Sequence, residues 1–435
     1  MLSPERRPTR PSAYDDYLRS IAADSDEWPD HPDVGGTGPQ LTARIALGVE
    51  RRAGELTALS HDVHAHPELA FEERHAVAAA RELLERQGYD VQVGAWGLDT
   101  AFRVVAGSDG PHVAILAEYD ALPDVGHGCG HNVICASAVG AFLALADVLD
   151  RLPGQVSLIG TPAEEGGGGK ELIARAGGFD DVDAAMMVHP AGSDVGECRW
   201  LGLRQVDVVY HGLSAHAAAL PYMGRNALDA VVAAYQSIAS LRQHMLPVDR
   251  IHGVITDGGS KPNIVPERAA ASFYVRSPTI ATLDELTDRM DAIFAAAALS
   301  TATVAEPDWQ VAPVYLPVRT NRELAARYVG ALRARGRPIR TIAAVPSGST
   351  DMGNVSVRVP SIHPKIAIGP ATISAHSHEF ARWAVSAEAD TAVVDGAIGL
   401  ATCAADFLAD ARLRERVRAE FERSGGRVDV AALDR

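Results

Sequence analysis

Apolar and polar positions along the chain change rhythm several times. Residues 41–60 and 72–87 repeat apolar side chains at helical spacing, and the second stretch stops at Gly88, a helix-terminating residue. Short apolar runs then alternate with helical ones. Strands are expected over 112–118, 155–160 and 184–188, and helices over 134–149 and 170–176. Strands separated by helices imply right-handed crossovers, hence an α/β fold with a mostly parallel sheet flanked by helices. From about Leu203 the order becomes strand (205–211), helix (225–244), two strands (250–256, 270–276) and helix (282–299). That order suits a small α+β sandwich inserted in the larger domain. Helices over 321–335 and 387–408 then close the larger domain. The expected division is a lead-in without regular structure (1–40), a main domain (41–201 and 309–435) and an insert (202–308).

Composition narrows the class. The 435 residues are 47 % hydrophobic and 22 % charged, which is globular and excludes a mainly disordered chain. A net charge of −16 argues against nucleic acid or an anionic membrane as partner, since phosphates would repel the surface. Four cysteines in so long a chain do not build a disulfide framework and fit a reducing compartment. The basic start of the chain is not followed by an apolar segment, and no apolar run reaches roughly 18 residues. The expectation is a cytoplasmic protein.

The chemistry-bearing residues cluster after the expected strands, where ligands bind in parallel sheets. Asp120-Ala-Leu-Pro123 and Gly126-His-Gly-Cys129-Gly-His131-Asn132 lie between a strand and a helix. A thiolate and an imidazole two residues apart in a glycine-rich loop suit Zn²⁺ or a similar ion. Thr161-Pro-Ala-Glu164-Glu165 follows the next strand, and its adjacent carboxylates point different ways on an irregular turn. One can bind metal while the other serves as general base to a water whose pKa the metal lowers. The glycines after Glu165 lack the spacing of a phosphate loop. His189 closes a third strand, and His376 or His378 near the C-terminus offers a further ligand; spacing alone does not choose between these two.

Taken together and in this order, with His64-Ala-His-Pro-Glu-Leu69, these motifs resemble the M20 family of metallopeptidases and amidohydrolases, from about His64 to the C-terminal helix. The resemblance implies that Cys129, His131, Glu165, His189 and His376 hold one or two divalent ions, Zn²⁺ or Mn²⁺ foremost, with Co²⁺ or Ni²⁺ also accommodated. His376 is preferred to His378 by its place four residues before Phe380. Glu164 takes the general-base role and Asp120 orients the site. The insert corresponds to the family's lid and homodimer interface, with His216 stabilising the oxyanion. Asn263 and Arg276 are implied as substrate contacts. Thr350 and Asp351 are candidates for the acyl pocket, with a turn as the alternative.

Asn132 stands where many aminoacylase-like members carry Asp, and Gly348-Ser-Thr-Asp-Met-Gly-Asn354 also departs from their pattern. Both features are closer to the subgroup of aminobenzoyl-glutamate hydrolase subunits and peptidase M20 domain-containing dipeptidases. The expected activity is metal-dependent hydrolysis of a small amide: an N-acyl amino acid, an aminobenzoyl-glutamate-like conjugate, or a dipeptide with a β- or γ-amino acyl group. Two alternatives are an aminohydrolase releasing ammonia from an activated aryl amine and a non-catalytic metal-binding subunit.

Overall fold

A computed structural model describes residues 12–23, 36–343 and 348–433. The chain divides into two compact units, Glu27–Trp200 with Val318–Ala432, and Leu201–Pro317 with the helix Ser12–Ala23.

The larger unit is built on a six-stranded sheet in the order Gln92–Val93, Phe102–Gly107, Gln155–Gly160, His112–Ala117, Ala184–Met186 and Ser361–Ile362. The last four run parallel, as expected, while Phe102–Gly107 runs antiparallel to Gln155–Gly160 and makes the sheet mixed. His112–Ala117 is buried along its whole length because both faces are covered. Val113, Ile115 and Ala117 enter the main core, whereas Ala114 and Leu116 pack on the opposite side with Ile173, Met352 and Val355. This two-sided burial explains why the strand reads as a continuous apolar run.

The helix His131–Ala146 is buried on nearly every side and packs against Ala387–Ala409, the other long core helix. Small residues permit the close approach: a Cβ on Gly140 would lie 2.6 Å from Leu56 and 3.1 Å from Ala397. A second, four-stranded sheet in the order Arg340–Ile342, Val195–Glu197, Lys365–Ala367, His189–Ala191 extends from the carboxyl end of the first.

The smaller unit is an antiparallel sheet, Val304–Asp308, Gly202–His211, Arg268–Ser277, Arg250–Asp257, packed by the helices Ala227–Leu241 and Ile280–Thr301. Alternation sets its covered face: Val206, Val208 and Tyr210 are buried, as are Phe273 and Val275 on the neighbouring strand. Asn226 caps the first helix and Thr279 closes a capping box on the second.

Three expectations change. The helix expected over 41–60 is two, Pro39–Glu50 and Ala53–Ala65. The break falls at Arg52, whose guanidinium bonds the Asp147 carboxylate at 2.7 Å and the Gly48 carbonyl at 3.0 Å. The lead-in carries a helix, Ser12–Ala23, which packs on Ile280–Thr301. The smaller unit runs to Pro317 rather than to 308, because Leu203 and Tyr315 exchange both backbone hydrogen bonds at 2.8 and 2.9 Å.

His112 is buried at the start of its strand, with Nδ1 bonded to the Asp181 carbonyl at 2.7 Å and Nε2 to Ser157 Oγ at 2.6 Å. Burial lowers its pKa, although the Asp181 carbonyl opposes the shift. A histidine held neutral in the fold but free to protonate in the unfolded chain removes stability as pH falls below about 6.5, towards its lowered native value. His112→Gln should therefore flatten the loss of stability on acidification. Urea midpoints at about pH 7.5 and about pH 5.5 check this, and equal differences in the two proteins refute it.

Candidate metal centre

The four parallel strands deliver their carboxyl ends to one edge of the sheet. Asp120 follows His112–Ala117, Glu164 and Glu165 follow Gln155–Gly160, His189 follows Ala184–Met186, and His363 follows Ser361–Ile362. The loop to His131 turns at Gly130 with φ 76°, and a Cβ there would meet Pro190 at 2.7 Å. Only glycine fits that turn, and it sets His131 at the first position of the buried helix.

The donors converge, and their protons are accounted for. His131 donates Nδ1–H to Asp120 Oδ1 at 2.9 Å, which leaves the Nε2 lone pair free. His189 donates Nδ1–H to the Pro190 carbonyl at 2.8 Å, while its Nε2 lies 3.5 Å from Cys129 Sγ. His376 brings Nε2 to 3.4 Å from Glu165 Oε1. Cys129, His131 and His189 form one ligand-like triad within 4.8 Å, and Cys129, Glu165 and His376 form another. His378 instead opens the helix His378–Trp383 and joins no such group among the described residues.

The backbone that carries these groups is held in uncommon geometry. Ala163 (φ 59°), just before the paired glutamates, and Phe71 (φ 64°) are non-glycine residues in the left-handed region. Both donate their N–H to one oxygen of buried Glu73, each at 2.9 Å. Asp120 Oδ2 accepts from Glu165 N at 2.9 Å, so the carboxylate that orients His131 also fixes the turn carrying Glu165.

Beneath the centre lies a charged cluster that the sequence did not reveal. Lys170 is fully buried, with its ammonium bonded to Glu118 and, at 2.6 Å, to Asp351; its N–H meets the second Asp351 oxygen at 2.9 Å. Asp351 therefore has both oxygens engaged by Lys170. Thr350 Oγ1 accepts from Met352 N at 3.2 Å. Glu118 follows a strand that reads as apolar from Val113 to Ala117, and that lone charge was its signal. His363 is also buried, with its ring stacked 5.6 Å from His189 and no hydrogen-bond partner on either nitrogen.

Electrostatics follow from this crowding. Burial alone would lift the Asp120 carboxyl, but His131, the Glu165 N–H and Lys170 together hold it below the usual carboxylate range. Burial, then the charges of Glu118, Glu165 and Asp351, push Glu164 well up. Burial and the Glu165 charge raise the Cys129 thiol as well. The donors fit a divalent transition metal: imidazole, thiolate and carboxylate are its ligands, and buried His131 Nε2 and Glu165 Oε1 lack any hydrogen-bond partner that a cation would replace.

Asn132 fits a structural need. Its Nδ2 donates to Ser60 Oγ at 2.9 Å and to the Ala384 carbonyl at 2.8 Å, and an aspartate could supply neither hydrogen. His216, Asn263 and Arg276 belong to the smaller unit. The loops of His216 and Asn263 are paired, since Ala217 N donates to the Asn263 carbonyl at 3.0 Å. His216 Nδ1 accepts from Ala218 N and Ala219 N at 3.3 and 3.2 Å, so the imidazole carries its proton on Nε2. Arg276 lies 5.8 Å over the Tyr274 ring.

Convergent ligands at the carboxyl edge of a parallel sheet define a metallohydrolase-type centre. The sequence matches the model of peptidase family M20/M25/M40 over residues 114–395, more than half of the chain, and the chain belongs to that family. It is 38 % identical over 400 residues to the Xaa-Arg dipeptidase of Mus musculus, covering 88 % of this chain and 92 % of that one. A p-aminobenzoyl-glutamate hydrolase component from Escherichia coli (strain K12) is 34 % identical over 294 residues, 62 % of this chain and 61 % of that one. A dinuclear metal-binding M20 peptidase from Bacillus subtilis shares the fold with a TM-score of 0.59 at 21 % identity, over 80 % of this chain and 98 % of that one. The protein is thus a hydrolase acting on amide bonds.

Lys170→Met would leave Glu118 and Asp351 as uncompensated buried charges. We expect a loss of about 3–5 kcal/mol, measured by chemical denaturation. A loss under about 1 kcal/mol would show that the cluster is not a load on the fold.

Proposed function

We propose that the protein is a metal-dependent dipeptidase that cleaves small dipeptides with a basic C-terminal residue. The observation that carries the chemistry is Glu164: a buried carboxylate with a raised pKa, adjoining His131 and Glu165 in one donor group. The name of the mouse relative, matched across nearly its whole length, supports the substrate class. Cys129 belongs to both ligand triads, and Cys129, His131, His189, Glu165 and His376 are the residues that would hold one or two divalent ions.

Divalent ions held by these residues would supply Lewis acidity and lower the pKa of a bound water. Glu164 would serve as the base toward the attacking water and would return the proton to the departing amine nitrogen. Burial and the neighbouring carboxylates raise the proton affinity of Glu164. That strengthens its ionised form as a base for the first half of the transfer and leaves a carboxyl that can donate in the second. Asp120 keeps His131 in the tautomer that leaves Nε2 free, and Glu73 keeps the Ala163 turn from relaxing.

Two outcomes test the reading. Chelator-sensitive release of free arginine or lysine from Xaa-Arg and Xaa-Lys dipeptides, exceeding release from p-aminobenzoyl-glutamate and N-acetyl amino acids, supports it; preference for either of the latter overturns the substrate class. Glu164→Gln should lower kcat on the order of 10²–10⁴-fold while metal content stays at the wild-type value. Turnover near wild type removes Glu164 from the mechanism.

A further inference from the structure

A second group of metal-type donors lies outside the centre, on two consecutive helices of the larger unit. Asp62 and His66 are one turn apart at the end of Ala53–Ala65, and His75 is in the first turn of Arg74–Arg86. One donor atom from each of the three lies within 4.8 Å of the others. His75 Nε2 is 2.9 Å from Asp62 Oδ2, and His66 Nδ1 is 3.3 Å from Asp62 Oδ1. The two imidazoles face each other with centroids 4.0 Å apart and planes inclined by 33°.

We propose that Asp62, His66 and His75 form a peripheral site for a divalent transition metal, separate from the Cys129 centre. Two imidazoles and one carboxylate suit Zn²⁺ or Ni²⁺ and leave coordination positions for water. His66 Nδ1 also lies 2.9 Å from the Asp62 carbonyl, and the ion would replace the proton held there. Between His75 and Asp62 the ion takes the place of the shared proton. The three side chains are 40–52 % exposed, so small rotations can bring their atoms to the separations of a tetrahedral shell.

The backbone beneath them is preset. Both oxygens of Glu68 accept from His75 N, at 2.9 and 2.8 Å, and one of them also accepts from Ala76 N at 3.1 Å. The start of the second helix is therefore fixed against the loop that follows His66. The Glu68 carbonyl in turn accepts from Ala121 N at 2.8 Å, beside Asp120. An ion on this trio would staple the two helices at the loop that also braces the main centre.

The test is zinc stoichiometry on the full chain, stripped with chelator, reloaded with Zn²⁺ and measured by equilibrium dialysis with elemental analysis. The wild type should hold one Zn²⁺ per chain more than a His66→Ala/His75→Ala variant, and Asp62→Asn should weaken that same ion. A Cys129→Ser/His189→Ala variant should keep the ion that the surface variant loses. Equal zinc content in the wild type and the surface variant overturns the proposal. So does loss of the extra ion from the Cys129 variant, provided circular dichroism shows that variant folded.

Discussion

Five carboxylates, those of Glu118, Asp120, Glu164, Glu165 and Asp351, crowd into one buried region with the ammonium of Lys170 between two of them. Negative charge in a low-dielectric interior is tolerated only when paired, so the fold commits itself to binding cations there. The rest of the architecture serves that commitment. Parallel strands bring the carboxylates and imidazoles to one edge, and the two-sided core keeps that edge rigid. The raised pKa of Glu164 and the lowered one of Asp120 are two results of the same crowding, decided by which neighbour stands nearer.

Positioning is shared among a few carboxylates that never need to touch substrate. Asp120 reaches a ligand imidazole with one oxygen and the Glu165 backbone with the other. Glu73 holds two left-handed residues with a single oxygen, and Glu68 fixes a helix start. Asp120 and Glu73 tie segments distant in sequence, so the ligand loops behave as one framework.

The strand Gln155–Gly160 was legible to the residue, and His112–Ala117 nearly so, because apolar runs and the turns after them are local signals. The ligand motifs were legible for the same reason: Cys129 and His131, or Glu164 and Glu165, are close in sequence. Glu73, Glu118 and Lys170 were not, since each takes its role from a partner found only in space; Lys170 meets Asp351 across 181 positions. The break at Arg52 is hidden likewise, because its cause is Asp147 on a different element. Phe102–Gly107 gives little strand signal because its pattern of buried and exposed positions is short and irregular. Asp351, a pocket candidate by sequence, is the far end of the lysine cluster.

The centre's donors run from Cys129 to His376, with the whole of Leu201–Pro317 threaded between the first four and the last. During synthesis the Cys129–His131–His189 triad leaves the ribosome long before His376, and Lys170 waits equally long for Asp351. A nascent chain thus passes through a stage with Lys170 and the first four donors made but Asp351 and His376 still to come. The centre is completed only once the segment beyond Pro317 has been made, so its assembly is a late event in the folding of the larger unit.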